Sequence, residues 1–338
     1  MKVRRELLPI VISLLFLLIA RQIYPYAGVM VAEIADGYEQ ETIATDLGGP
    51  TCLVFDEDLL LVCDRDGGRI VTIDGETLLS GLDHPHGMLL LDDAVIISEE
   101  GKLTRYDSNF ENPTILVEGI PSKNHQTNAV NVLPNGTLIW HSGSTCNLCE
   151  EDDPRNAALL WVNATTGEHG ILATGVRNSF DGVWVDGIGY LFSDNGQDTK
   201  GDDFPNEEIN LLVEGGEYGW LTESVSDPNP EGTEAPVATW TPHTSVNGMT
   251  TRPANLPGDN YTVYATVFGS WATVLPQGHQ ILKIDFLQTD DGWVGDVEIF
   301  ASEVGTPLPI TGGPDGNLYY ATFDHNGAVH VIRPEANS

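Results

Sequence analysis

Past residue 40 the chain carries no segment with helical periodicity. One pattern recurs instead: a short apolar run rich in β-branched and aromatic residues, a polar turn built on Gly, Asp or Asn, then a second such run. It reads LLLVCDRDGGRIVTI (59–73), AVIISEEGKLTRY (94–106), TLIWHSGS (137–144) with ALLWVN (158–163), and GYLFSDNG (189–196) with EINLLV (208–213). YTVYATVFGSW (261–271) with HQILKIDF (279–286) and NLYYATFDHNGAVHVI (317–332) complete the series.

Six copies fill about 298 residues, roughly 50 apiece, which is the length of a four-stranded blade. Eleven Asn-Gly or Asp-Gly dipeptides read as the tight turns that hairpins need. No composition shift divides the series. The pattern predicts an all-β protein: an N-terminal segment over 1–40, then a six-bladed β-propeller of four-stranded antiparallel blades over 41–338. A two-sheet sandwich suits the spacing less well. The third and fourth copies carry long insertions, 145–157 and 197–207, and long loops on a rigid scaffold are where sites gather.

Charge changes the picture. Fifty acidic residues face 15 basic ones, for a net charge of −35. Lys2, Arg4, Arg5 and Arg21, against Glu6, put +3 in the first 21 positions, so the remainder holds 11 basic and 49 acidic residues, or −38. Such a surface repels itself in dilute buffer and is relieved in molar salt, where the screening length falls to about 3 Å. We read a halophilic protein facing brine, with nucleic acid and anionic membrane surfaces excluded as partners. The basic start leads into Leu7–Ala20, fourteen uncharged residues, the length of a signal-peptide core and short for a span of roughly 20. No A-x-A site follows clearly, so cleaved signal and membrane anchor both stand; either reading exports the rest. Four cysteines suit an exported chain. Cys146 and Cys149, in CNLCEEDDPR, read as a local disulfide, because a zinc half-site lacks a second CxxC. Cys52 and Cys63 flank FDEDLLLV and read as a pair across a hairpin.

The segments GLDHPHGM (81–88), KNHQTNAVNVLPNGTLIWHSGS (123–144), TGVRN (174–178), SDNGQDTKGDDFPNEEINLLVEGGEYGW (193–220), FGSW (268–271) and GGPDGNLYYAT (312–322) carry a resemblance. Over most of residues 45–334 the chain resembles the soluble sugar dehydrogenases that depend on pyrroloquinoline quinone (PQQ), six-bladed propellers acting on glucose, other aldoses and sorbosone. The order NHQT, VRN, DNG and EINLLVEGGEYGW is the specific part of the match. The resemblance implies PQQ and Ca2+ as cofactors, a sugar as substrate and an external electron acceptor. It implies His125 as the general base that takes the proton of the C1 hydroxyl while hydride passes to the quinone; a histidine suits this because its free pKa is near working pH. Arg177 and Asn178 match the pair facing the quinone carbonyls, and His86 matches a residue lining the cofactor pocket. The loop 197–207 matches the calcium turn, with Asp198, Asp202 and Asp203 offering oxygen ligands. The chain departs from the family in having no arginine in VGTPLPITGGPDG, where cofactor carboxylates are gripped. Arg177, Lys200 and Arg252 with calcium are then left to balance a tricarboxylate.

Plainer roles stand beside these. His125 at a strand start also suits a hydrogen bond to a carbonyl, and Arg177 a surface ion pair. His84 reads as structural, Glu208 as a partner of turn amides, the acids 150–153 as a solvated loop, and Trp220 and Trp271 as packing. Asn135, Asn163 and Asn260 open N-x-S/T sequons near turns. Two rival functions remain: a calcium-dependent propeller lactonase, and a non-catalytic propeller that binds glycans or a surface partner.

Overall fold

The computed structural model describes residues 10–17, 19, 31–270, 273, 277–324 and 326–336. Strands β1 (Glu33–Ile34) and β2 (Tyr38–Leu47) precede six sheets arranged in sequence. The first sheet holds β3 (Pro50–Asp56), β4 (Leu59–Asp64), β5 (Arg69–Thr72) and β6 (Thr77–Ser80). The second holds β7 (Gly87–Leu91), β8 (Ala94–Glu99), β9 (Lys102–Asp107) and β10 (Thr114–Val117). The third holds β11 (Thr127–Val132), β12 (Leu138–Ser142), β13 (Ala158–Val162) and β14 (His169–Thr174). The fourth holds β15 (Gly182–Val185), β16 (Gly189–Asp194), β17 (Glu207–Leu211) and β18 (Ala238–Trp240). The fifth runs β19 (Val246–Thr251), β20 (Thr262–Val267), β21 (Gln280–Thr289) and β22 (Gly292–Ser302), with β1 added at its outer edge. The sixth holds β23 (Pro307–Gly312), β24 (Leu318–Thr322) and β25 (Gly327–Pro334), completed by β2. All pairings between neighbouring strands are antiparallel, and the whole is a six-bladed β-propeller.

The apolar runs are continuous rather than alternating because both faces of a blade are buried. In β4, Leu61 and Cys63 pack with Met88, Val95 and Ile97 of the second blade, while Leu60 and Val62 pack with Ala321 and Val329 of the sixth. Successive side chains on a strand point to opposite faces, so one strand serves two neighbours. An apolar cluster fills every junction between adjacent blades. The recurring runs are thus the two central strands of each blade.

Three Asx-Gly dipeptides read as turns lie elsewhere, Asn195-Gly196 among them in the long loop after β16. Asp181-Gly182 leads into inner strand β15, and Asn247-Gly248 lies within inner strand β19. The glycine there serves close approach: a Cβ on Gly248 would come within 2.5 Å of the Leu308 carbonyl oxygen of the next blade. The propeller also reaches back to Glu33, ahead of residue 41, because β1 and the start of β2 pair into the last two blades. Both expected disulfides are present, Cys52–Cys63 joining β3 to β4 and Cys146–Cys149 closing a turn after β12. Residues 10–17 and 19 are helical with exposed apolar side chains, and no helix among the described residues is long and apolar enough to cross a membrane. The basic leader residues and Trp271 lie outside the described residues.

Strand β2 closes the ring: it pairs with β25 along its length, packs Leu47 beside Val329, and sets Tyr38 edge-on to Phe300 with centroids 5.4 Å apart. Deleting residues 38–47 should leave β25 an open edge and lower Tm by roughly 5–10 °C, for a loss of about 2–3 kcal/mol in a domain this size. Thermal unfolding by circular dichroism in molar salt measures this; an unchanged Tm would show that closure lies elsewhere.

Candidate functional site

His86, His125, Gln126, Asn178, Phe180 and Ser245 all stand just ahead of an inner strand, where the chain crosses from one blade to the next. That end of the ring is hollow. A cavity of about 440 Å³ is lined by these residues with Arg65, Lys123, Asn128 and Asn247 among others, and a second of about 550 Å³ adds Arg177, Asn195, Asp198, Glu207 and His243. The two share Asn124, His125, Asn178 and Ser245 and so form one hollow on the axis. Both long insertions follow the second strand of their blade and lie at this mouth.

His125 and Arg177 meet here, joined through Ser144. The Ser144 amide donates to the Arg177 carbonyl at 2.8 Å. His125 Nδ1 lies 2.8 Å from Ser144 Oγ and 3.1 Å from the Ser144 carbonyl oxygen. Ser144 Oγ spends its own proton on the Cys146 carbonyl at 2.7 Å, so Nδ1 carries the hydrogen and donates. Nε2 is left with its lone pair toward the hollow. Gly143 makes this approach possible: a Cβ there would lie 2.6 Å from His125 Cβ. Burial, then the Arg177 guanidinium, push the His125 pKa down to about 3 against the Ser144 bond.

Arg177 is 5% exposed and held from several sides. Nη2 pairs with Asp198 at 2.7 Å and with Asn147 Oδ1 at 2.8 Å, Nη1 donates to the Asn195 carbonyl at 3.0 Å, and Nε donates to the Asn147 carbonyl at 3.3 Å. The Asp194 carboxylate accepts the amides of both Arg177 and Asn178, at 3.0 and 2.8 Å, and fixes the turn that presents them. Asn178 Oδ1 in turn accepts Asn128 Nδ2 at 3.2 Å. His86 lines the hollow as expected: Nδ1 donates to the His84 carbonyl at 2.9 Å, Nε2 takes Gln126, and burial lowers its pKa to about 3. His84 bonds Asp83 and Glu100 at the surface, a structural role.

Other expected residues are placed differently. Lys200 is turned from the hollow: its ammonium donates to the Glu223 carbonyl at 2.5 Å and lies over the Phe204 ring. Arg252 staples its own loop through the carbonyls of Leu256 and Asp259. Asp202 and Asp203 are exposed, and with Asp198 they do not bring their oxygens together as a metal would require. The reason is the Arg177 pair, which takes Asp198. Glu207, rather than Glu208, accepts a backbone amide, that of Ser245 at 3.0 Å. Glu151 is more than solvated, binding Thr145 through its amide and hydroxyl at 2.7 Å each. Trp220 is buried packing, as expected, with its indole bonded to the Asn147 carbonyl at 3.0 Å.

Two cations do line the hollow. Arg65 and Lys123 line the wall; Arg65 Nη1 pairs with Asp66 at 2.8 Å, while its Nε is buried without an acceptor. Phe180, Phe268, Leu308 and Phe323 form an apolar floor, with the Arg65 guanidinium over the Phe323 ring at 5.9 Å from its centroid. A hollow lined by amides, two cations and aromatic rings suits a planar polycarboxylate such as PQQ. Behind Arg177 lies a cavity of about 10 Å³, room for about one water or ion, lined by Asp194, Glu208, Glu223, Asn206 and Gly196. Burial raises the first and third of these carboxyls to about 7 and Glu208 to about 8. These acids line an ion-sized space outside the 197–207 turn, and Ca2+ would have to draw their oxygens together, since neither they nor the acids of that turn form a tight ligand cluster among the described residues. For Asp194 and Glu208 the signal was in the sequence: acids at strand positions amid apolar neighbours, FSDNG and EEINLL.

No protein-family model matches the chain. An uncharacterized protein of Borreliella burgdorferi is 29% identical over 225 residues, 59% of this chain and 57% of that one, so the chain spans little over half of that relative's length. Among solved structures, the holo PQQ domain of pyranose dehydrogenase from Coprinopsis cinerea superposes with TM-score 0.75 at 17% identity, covering 90% of this chain and 97% of that one. The calcium structure of a Trichoderma reesei carbohydrate-active enzyme of family AA12 gives 0.71 at 18%, covering 90% and 97%. The PQQ-bound aldose sugar dehydrogenase of Streptomyces coelicolor gives 0.67 at 19%, covering 89% and 100%. The chain shares its fold with these PQQ-dependent sugar dehydrogenases.

The His125 ring should stay neutral in the free protein. Because its pKa is depressed below the ordinary 6.5, the ring charges only as pH falls toward 3, and ring carbon shifts should not move between pH 8 and 5. Arg177→Met removes the second cause and should raise the pKa toward 6.5. A wild-type midpoint between 6 and 7 would overturn the assignment.

Proposed function

We propose that the protein is an exported sugar dehydrogenase that oxidises an aldose or sugar aldehyde at C1 and passes electrons to an external acceptor. One observation carries the reading: a neutral histidine with its Nδ1 hydrogen committed to Ser144 and its Nε2 lone pair open to the axial hollow beside Arg177. The fold shared with enzymes whose structures hold PQQ or calcium supports it.

The chain's own residues do the following. His125 Nε2 accepts the proton of the substrate hydroxyl, with Ser144 holding the ring in the tautomer that permits it. Arg177 and Asn178 place donors where negative charge gathers on reduction of a bound acceptor. Arg65 and Lys123 balance carboxylates, and the phenylalanine floor excludes water from one face. PQQ, held between these walls, would supply the two-electron hydride acceptor. Ca2+, held by Asp194, Glu208 and Glu223, would neutralise buried carboxylates and polarise the region behind Arg177. The lactonase reading needs carboxylates converging on the axis, whereas these acids gather behind Arg177.

The test uses the full chain in molar salt with PQQ, Ca2+, a redox dye and a panel of aldoses. Turnover should require the quinone, and His125→Ala should lower kcat by roughly 10²–10⁴-fold with the fold intact. Hydrolysis of lactones without quinone would replace this reading with the hydrolase. Calcium should also stabilise the protein without any substrate, by about 2.7 kcal/mol at a hundredfold excess over Kd. Glu208→Gln with Glu223→Gln should abolish that gain in thermal unfolding; a gain that survives the pair would place the ion elsewhere.

A further inference from the structure

The Cys146–Cys149 turn has no part in the chemistry above, yet it touches most of what surrounds Arg177. It lies between β12 and β13 at the rim of the hollow. Leu148 points outward, and Asn147 points in. Asn147 alone receives four donors. Its side-chain oxygen accepts Arg177 Nη2 at 2.8 Å and the Asp198 amide at 2.9 Å. Its backbone carbonyl accepts Arg177 Nε at 3.3 Å and the Trp220 indole at 3.0 Å. One residue earlier, the Cys146 carbonyl takes the Ser144 hydroxyl that orients His125.

We propose that this disulfide-closed turn is the bracket that sets Arg177, with Asn147 as its positioning residue. The inference rests on the proposed role of Arg177 but is testable apart from it. A turn with no ladder on either side would leave its carbonyls free to rotate; a cross-link between residues three apart holds them. Without the Asn147 side chain, Nη2 loses one of its two acceptors and keeps only Asp198, which is about half exposed and loses the partner of its own amide. That end of the guanidinium would then follow the mobile carboxylate of Asp198 instead of being fixed by the turn.

Hydrogen exchange on the full chain without quinone reads this directly. In wild type the Arg177 Nε–H and the Trp220 indole N–H should be protected. Cys146→Ser with Cys149→Ser should speed both by tenfold or more, leaving Cys52–Cys63 intact. If that pair fails to fold, Asn147→Ala is the second variant and should speed exchange at the Arg177 Nη2 hydrogens at least tenfold. With quinone and sugar present, Asn147→Ala should lower kcat about tenfold with KM for sugar unchanged. Asn147→Asp, which keeps an acceptor oxygen in place, should restore kcat. Wild-type exchange in both the Ser pair and Asn147→Ala would overturn the bracket. Absent turnover in wild type would overturn sugar oxidation while leaving the exchange result standing.

Discussion

The structure depends on each blade burying both of its faces against its neighbours. A single four-stranded sheet of this size has no core of its own; it is stable only as one sixth of a closed ring, and apolar clusters occupy all six junctions. Closure in turn obliges six inner strands to crowd one axis. Glycines at 87 and 248 let those strands approach, and polar residues just ahead of them are delivered to one end whether or not they perform chemistry.

That delivery explains the electrostatics of the site. Groups carried to the mouth of the ring leave bulk water, so histidines there are driven neutral and carboxylates are driven toward the protonated form. Arg177 is the common counterweight: it lowers the pKa of His125, pairs with Asp198, and stands over the carboxylate that presents its own amide. Base, cation and acidic pocket are one coupled arrangement.

The central strands were legible because two buried faces write unbroken apolar runs such as LLLVC and AVIIS. Inner strands such as TNAVNV were not, since polar residues interrupt their apolar positions even where these are buried, and their glycines mimic turns. At the site, His125, Arg177, Asn178 and His86 come together where the resemblance put them. Lys200 and Arg252 do not, because the direction of a long cationic side chain is decided by whichever carbonyls its loop exposes. The resemblance put Asp198, Asp202 and Asp203 forward as ligands, but they are exposed and not drawn together, whereas Asp194 and Glu223, 29 positions apart in the chain, are joined only by the tertiary fold.

The pairing of β2 with β25 carries a kinetic consequence. Tyr38 meets Pro334 across nearly the whole length of the chain, so the contact that seals the ring has the highest loop-closure cost of any. During synthesis β2 must wait, unpartnered, until β25 emerges from the ribosome. Five blades can stack as they appear, yet the doughnut stays a horseshoe until that final clasp is made.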